Sequence, residues 1–575
     1  MAFAHRADPR VQAKWGYLLP ARHNVHMSAI AFLAPDPDGY ALIDIRDSDS
    51  AQPLRAVFPV SREDFAQVVA QTEAELGPRW AMLRTTPWMQ PLISAGVYLA
   101  KAHVLSLAQR IMHRSPMASG QLADFDLEHP VAAAGRIDQD ALFDTPAFGE
   151  SLADLIQLYA QQRGALPQDA VARKRLELLV HAESVGALIA CEMEHAGLSW
   201  DESGHRALLR EQLGQKVSDY ARPPKLAAKA QELAIALQSP GLNPDSPQEL
   251  LKALHKAGFA VRSARAWELE RISHPVIQQV LDYKKLSRLA SAHGDTWLDQ
   301  WVKNGRFHPH YVLGTVVSGR WAASGGGALQ LPHAIRQVVR TQPGRTFVVA
   351  DGRQLEPRIL AAISGDQQLQ QAGQQDDLYQ WLLDSKLVST RQEAKLGMLS
   401  VIYGGGGGAS GAVGAALTRS FPAAMRFVEQ AAQAGQQGAG VRSFLGRGCP
   451  PADEQWMRAQ RDTADEGSQR AADAAARARG RFTRNFVVQS TAAEWALVWM
   501  GHARHLIHQA GWGELCQQVF FVHDEIVFEC PVERADQLKQ LIQHAAMLAG
   551  RTLFGAASPR FPVSVAICSN YAEAK

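Results

Sequence analysis

The chain has 575 residues, enough to bury several cores, and its 46% hydrophobic and 20% charged contents are those of a soluble globular protein. Lys+Arg 59 against Asp+Glu 57 leaves a formal charge of +2, so bulk charge announces no nucleic-acid partner, and any such partner must lie in a local basic groove. Five scattered cysteines, Cys191, Cys449, Cys516, Cys530 and Cys568, odd in number and never CxxC-spaced, argue against a disulfide framework and a structural zinc site. No signal peptide opens the chain and no apolar run reaches about 18 residues, so a cytoplasmic protein without a membrane partner is expected.

In chain order, Tyr40–Ile45 and Val97–Ala100 read as short strands, and Val104–Met112 and Leu152–Gln161 have helical periodicity. From Leu176 the pattern is strongly helical until a loop with Pro240, Asn243, Pro244 and Pro247, where Ser246-Pro247 can start a new helix. Phe307–Val317 and Phe347–Ala350 read as strands around a Gly-rich loop. Residues 366–500 are mainly helical, with 451–480 low in complexity, as in a solvated helix or arm. Val519–Val522 and Ile526–Cys530 are apolar runs separated by three polar residues, the pattern of a β-hairpin.

Three constellations carry chemistry. In Phe347-Val-Val-Ala-Asp351, an aspartate ends an apolar strand, where it can meet a metal or cap the helix that starts near Glu356. In Val522-His523-Asp524-Glu525, three ionisable residues occupy a hairpin tip that turn chemistry alone would give to Asn-Gly or Asp-Gly. Arg391, Lys395, Leu399 and Tyr403 are spaced by four and form one row on a helix, two cations ahead of an aromatic, which suits a triphosphate and a sugar or base, or a solvated amphipathic face. A fourth group, Arg481, Arg484, Asn485 and Gln489, with Arg442 and Arg447, suits phosphate or minor-groove contact or a solvated basic surface.

Phosphoryl transfer to a 3′-hydroxyl can use two divalent ions about 4 Å apart. Two such ions repel by roughly 17 kcal/mol at an effective dielectric of 20. Carboxylates from two chain segments, together with a triphosphate, must offset that repulsion. Asp351 and Asp524 supply them if their strand ends meet in one sheet.

These motifs, in this order, resemble those of family A DNA polymerases, the bacterial DNA polymerase I type. Ser318-Gly319-Arg320 and Leu329-Gln330-Leu331-Pro332 are similar to its T-G-R and L-Q-N-I-P segments, and Ile335-Arg336-Gln337 to the stretch before motif A. Asp351 to Arg358 resembles motif A, Arg391 to Gly404 motif B, and His523-Asp524-Glu525 motif C. Arg481, Asn485 and Gln489 match R-x3-N-x3-Q, and the tail from Asn570-Tyr571 resembles the closing segment. The likeness covers about residues 176–575.

The resemblance implies an α+β multi-domain fold: a degenerate α/β exonuclease-like domain at 1–175, a helical thumb at 176–305, palm at 306–365 and 501–575, and helical fingers at 366–500. It implies two Mg²⁺ ions, with Mn²⁺ as a substitute, on Asp351 and Asp524, with Glu525 nearby. Arg391 and Lys395 would bind the triphosphate. Glu356 and Tyr403 would gate against a ribose 2′-hydroxyl. Gln354, Leu399 and His523 would face the nucleotide or primer end. Arg320, Gln330, Arg336, Arg481, Asn485 and Gln489 would contact DNA. Primer–template DNA and dNTPs are the implied partners of a monomer working at the bacterial nucleoid.

The departures from the family pattern are Leu399 for the motif B aromatic, Tyr379 where relatives often carry a His, Gly352-Arg353 for Tyr-Ser, and a missing Asn in L-Q-N-I-P. They imply altered nucleotide kinetics and keep open a degenerate primer–template-binding protein. A ribonucleotide-using enzyme is opposed by Glu356. The chain is too short for the family's 5′-nuclease. A proofreading site needs D-x-E on a strand and Y-x3-D. The single early D-x-E, Asp126-Leu127-Glu128, follows no apolar strand, and Tyr159 is followed by Arg163. An exonuclease-like fold without proofreading is therefore expected, although similar short bacterial proteins are described as bifunctional.

Overall fold

The computed structural model describes residues 29–574 except 49, 121, 123–130, 133–150, 216–220, 325, 328, 330 and 405–409. The early D-x-E at Asp126–Glu128 and the candidate Gln330 lie outside the described residues. Packing divides the chain into two compact units. One comprises residues 1–191, 317–319 and 428–497, and the other 192–316, 320–427 and 498–575.

The first unit is built on a five-stranded sheet. Its strands are β1 (Ala29–Pro35), β2 (Ala41–Asp47), β3 (Phe58–Val60), β4 (Arg79–Met82) and β5 (Lys101–Val104), in the order β3-β2-β1-β4-β5. The β1/β2 and β2/β3 pairs are antiparallel, and β1/β4 and β4/β5 are parallel. β1 reads Ala-Ile-Ala-Phe-Leu-Ala-Pro and is buried along six of its seven residues, so it has no solvent face. Ile30, Phe32, Ala81, Leu105 and Leu155 share one core. The expected strand at Val97–Ala100 is instead the exit from the Met89–Ser94 helix, where Val97 N donates to Leu92 O at 2.9 Å, and pairing starts at Lys101. The Leu105–Arg114 and Leu152–Gly164 helices fall where periodicity predicts them. Residues 451–480 form the Glu454–Arg461 helix and the opening turns of the Glu466–Gln509 helix.

The second unit holds a four-stranded antiparallel sheet of β6 (Arg345–Gly352), β7 (Gln517–Val522), β8 (Glu525–Pro531) and β9 (Val563–Cys568), ordered β7-β8-β6-β9. Its β-branched and aromatic residues suit a pleated surface, buried on both faces along β6, β7 and β8 and partly exposed on β9. Phe347, Val349, Val519, Phe520 and Val527 pack with Trp200, Trp297 and Phe307. The Ala535–Phe554 helix packs on β6 and β9. The expected long strand Phe307–Val317 is broken into Arg306–Phe307 and Tyr311–Leu313, with Pro309, which has no N–H to donate, between them. A separate helical core gathers Leu226, Leu233, Leu250, Leu254, Ile277 and Tyr283. Within it, Ser246 caps the Pro247–Lys256 helix by accepting from Glu249 N, as the Ser-Pro pair predicts. Among the described residues, no helix is long and apolar enough to cross a membrane.

Candidate active site

The β6/β8 register brings the two strand-end aspartates to the same edge of the sheet. Asp351 lies directly opposite Glu525, and Gly352 N donates to Asp524 O at 3.2 Å. Opposed residues in an antiparallel pair have Cα atoms about 4.5–5.5 Å apart, so the two segments hold carboxylates at adjoining positions. Asp351 and Asp524 are half-buried, whereas Glu525 is buried and its carboxylate accepts from the Tyr571 hydroxyl. Burial, then the Glu525 charge, pushes the Tyr571 phenol up, so it stays a donor.

The hairpin turns on two residues, His523 and Asp524, because Val522 already pairs with Glu525. His523 has φ of 58°, a left-handed conformation that costs a non-glycine residue roughly 1–2 kcal/mol. Gln354, at the start of the Leu355–Ser364 helix, is also left-handed, with φ of 53°. Both loops that flank the aspartates thus carry strain that glycine would relieve, the pattern expected where function selects the side chain.

The cation row is one helix, Arg391–Tyr403, capped by Thr390, whose hydroxyl accepts from Glu393 N at 3.1 Å, and closed by Gly404 with φ of 75°. Each end is tied to the loop that follows Asp351. At the C-terminal end the Tyr403 hydroxyl donates to Glu356, which also accepts from Arg320 at 3.1 Å. At the N-terminal end Arg391 Nε donates to Asp377 at 3.0 Å, and the same Asp377 accepts from the Gln354 amide. Burial would raise the Asp377 carboxyl, but the bonds from Gln354 and Arg391 outweigh it and hold it below the usual range. Lys395 is exposed, and Leu399 is half-buried.

Asp377 and Arg358 are site residues that motif spacing alone did not single out. Asp377 also caps the Leu378–Asp384 helix, accepting from Tyr379 N and Gln380 N at 3.0 and 3.3 Å. Arg358 is buried and donates to the carbonyls of Gly373, Gln375, Asp376 and Arg560 and to Gln354 Oε1. Burial pushes its guanidinium down to about 10, still charged at neutral pH. Gln354 Oε1 also accepts from Leu378 N at 2.9 Å, so this side chain braces the loop. The signal for Arg358 was its place at the end of the motif A match. For Asp377 it was the Asp-Leu-Tyr segment.

The carboxylates at the sheet edge suit hard divalent cations. Among the described residues no group of three His, Cys, Asp or Glu forms a closed metal cage. Mg²⁺ fits an open pair, since it is held by one or two carboxylates with waters and substrate phosphates.

The remaining candidates are placed as follows. Arg336 lies over the Tyr571 ring at 4.9 Å. Arg481, Asn485 and Gln489 lie in one row on the Glu466–Gln509 helix within the first unit, Arg481 exposed and the other two half-buried. Arg484 pairs with Glu429 at 2.7 Å. Arg447 is no surface cation: it is buried against Glu183 at 2.7 Å.

Residues 221–573 match the profile of DNA polymerase family A. The chain belongs to that family. It is 25% identical to DNA polymerase I of Chloroflexus aurantiacus over 388 residues, 62% of this chain and 39% of the relative. It is 24% identical to the thermostable DNA polymerase I of Thermus aquaticus, covering 69% of this chain and 49% of the relative. With DNA polymerase I of Bacillus subtilis it shares 25% identity, over 67% of this chain and 46% of the relative. The chain thus spans less than half the length of these relatives. Its fold is similar to that of the POL domain of Pol1 from M. smegmatis, solved in complex with DNA primer-template and dNTP, with a TM-score of 0.64 over 99% of both chains at 20% identity. The α+β polymerase fold is therefore that of family A. Against the family pattern, Tyr379 is buried beneath Arg391, whose guanidinium lies 5.6 Å from its ring centre. Burial, offset in part by Arg391, pushes its phenol up to about 12.

Proposed function

We propose that this chain is a DNA-directed DNA polymerase that adds deoxynucleotides to a primer 3′ end on a template. The observation that carries the reading is the double tie of the Arg391–Tyr403 helix. Its aromatic end bonds Glu356 directly and its cationic end is linked to Gln354 through Asp377, so the segment that follows Asp351 meets both ends. Arg391 and Lys395 would hold the triphosphate, while Glu356, filled by Tyr403, would close the space a 2′-hydroxyl needs. Asp351 and Asp524 would hold two Mg²⁺ ions, which when bound would polarise the 3′-hydroxyl and neutralise charge on the phosphates. The 3′-oxygen forms a bond to the α-phosphorus and the bond to the pyrophosphate leaving group breaks. Glu525 is held by Tyr571 and would position Asp524 rather than bind the ions itself.

Arg320, Gln330, Arg336, Arg481, Asn485 and Gln489 are proposed to contact the primer–template, and His523 and Leu399 the nucleotide or primer end. The proposed division is 1–175 exonuclease-like, 176–305 thumb, 306–365 and 501–575 palm, and 366–500 fingers, in a monomer acting in the cytoplasm at the nucleoid. We infer no proofreading. β1 carries no carboxylate, and Arg163 follows Tyr159.

Primer extension with Mg²⁺ and dNTPs tests the main reading. Templated extension is expected, and its absence under conditions where the protein is folded would refute it. Gly352 and Leu399 favour one other reading, a primer–template-binding protein of low catalytic power. Tight DNA binding with no turnover would select it.

A further inference from the structure

The palm hairpin carries a second paired site at its open end. In the β7/β8 ladder Gln517 is opposite Glu529, so the next position outward sets Cys516 opposite Cys530. The two thiols are close enough to influence each other's ionisation directly. Both are reduced and buried, as are the other three cysteines. A small apolar residue would fill the same space, and a buried cysteine is ordinarily that and no more. Here, however, the two cysteines occupy the positions that continue the ladder by one step, and opposed ladder residues have Cα atoms about 4.5–5.5 Å apart, inside the roughly 4.4–6.8 Å range that a disulfide spans.

The surroundings favour reactivity at one of the two. Arg345 and Arg534 add positive charge beside Cys516. With the interaction with Cys530 as the largest influence, they hold the Cys516 thiol below its ordinary range against burial. Its interaction with Cys516, then burial, pushes Cys530 up. Cys516 ends the turn at 511–516, next to the exposed Leu515, just outside the first residue of β7. Cys568 is set apart on β9, opposite Phe347 of the intervening β6.

We propose that Cys516 and Cys530 form a reversible intramolecular disulfide that closes the open end of the hairpin carrying His523 and Asp524, with a low-molecular-weight disulfide as oxidant. The Cys516 thiolate attacks one sulfur of the oxidant and expels a thiolate. The Cys530 thiol then loses its proton to solvent and attacks the mixed disulfide at Cys516, expelling the second thiolate. Two protein thiols are oxidised by two electrons, and one disulfide is reduced to two thiols.

The test uses the full chain equilibrated in glutathione buffers from reducing to oxidising. Remaining thiols are alkylated, and peptides are mapped without reduction. The expected result is a linked peptide pair containing Cys516 and Cys530, short by two hydrogens, that disappears on adding dithiothreitol. The oxidised protein is also expected to melt at a higher temperature than the reduced one. Cys516→Ser and Cys530→Ser should each abolish the link. If either variant fails to fold, mapping of the unaltered chain still decides. No link at the oxidising limit, glutathione adducts alone, or a link to Cys568 would overturn the proposal. None of these outcomes depends on polymerase activity.

Discussion

The two large sheets solve opposite problems. The four-stranded sheet is buried along β6, β7 and β8 but opens at one end into Asp351, Asp524 and Glu525, with strained His523 and Gln354 beside them. The five-stranded sheet is closed where it could have been reactive. On β1, Phe32 meets Tyr159 edge-on at 5.5 Å, and His103 meets the same ring at 5.0 Å while bonding Gln162 at 2.8 Å. Burial pushes His103 down to about 4, so it is a neutral core residue at physiological pH. One sheet holds carboxylates at the ends of its central strands, and the other buries its polar groups, Asp44 against Arg46 and His103 against Gln162, inside the core. A sheet edge that keeps costly carboxylates and left-handed turns is where chemistry is expected.

Removing the edge carboxylates should produce the largest effect. Asp524→Ala or Asp351→Ala is expected to lower primer extension by roughly a thousandfold or more, since charge stabilisation by metal is worth several kcal/mol and each 1.4 kcal/mol is tenfold. Full extension by either variant would break the contrast between the sheets. The converse test is digestion of a mismatched 3′ end. The unaltered chain is expected to leave it intact, and digestion lost on Asp126→Ala would mean that the first unit retains chemistry of its own.

A smaller loss is expected at the gate. Glu356→Ala removes the acceptor of both Tyr403 and Arg320. Discrimination against ribonucleotides, as the ratio of kcat/KM for dNTP over rNTP, should fall about 10- to 100-fold, the scale that a pocket's steric contacts supply. An unchanged ratio would place the gate elsewhere.

Legibility in the sequence followed the same divide. The β6 strand, the hairpin and the Arg391–Tyr403 helix were readable because periodicity and turn chemistry act locally. Asp377 was not, because its role depends on Gln354 and Arg391, 23 positions before and 14 after it, meeting on one carboxylate. Arg447 read as a surface cation because nothing near it in the chain announces Glu183. The strand expected at Val97–Ala100 failed because an apolar run looks the same leaving a helix as entering a sheet.

That buried pair gives the next prediction. Glu494 is fully buried in the same unit, with its carboxylate accepting from Ser443 Oγ and Leu445 N. Burial pushes it up to about 7, against the pull of Arg447. An unfolded Glu titrates near 4.3, so the folded state holds the proton more tightly. The resulting stability is full below about pH 4 and is lost as pH rises through about 7, a change on the order of a few kcal/mol at most. Urea midpoints from pH 4 to 8 should show this slope in the unaltered chain and a flatter one in Glu494→Gln. Parallel curves would contradict it.

The smallest effect is expected at Asp377, and it separates positioning from catalysis. Its bond to Arg391 uses Nε, which leaves the terminal guanidinium nitrogens for the proposed triphosphate contact. The Arg391 side chain is 55% exposed, so solvent screening limits the pair to about 1 kcal/mol or less. Asp377→Asn keeps an oxygen to cap the Leu378–Asp384 helix but loses the charge. KM for dNTP should rise about two- to fivefold with kcat little changed, because the loss falls on binding rather than on the transition state. Asp377→Ala should show the same KM shift and also lose about 1 kcal/mol of stability with the cap. A collapse of kcat in Asp377→Asn would instead make Asp377 part of the chemistry, and the reactive edge of the second unit would then extend beyond its strand ends.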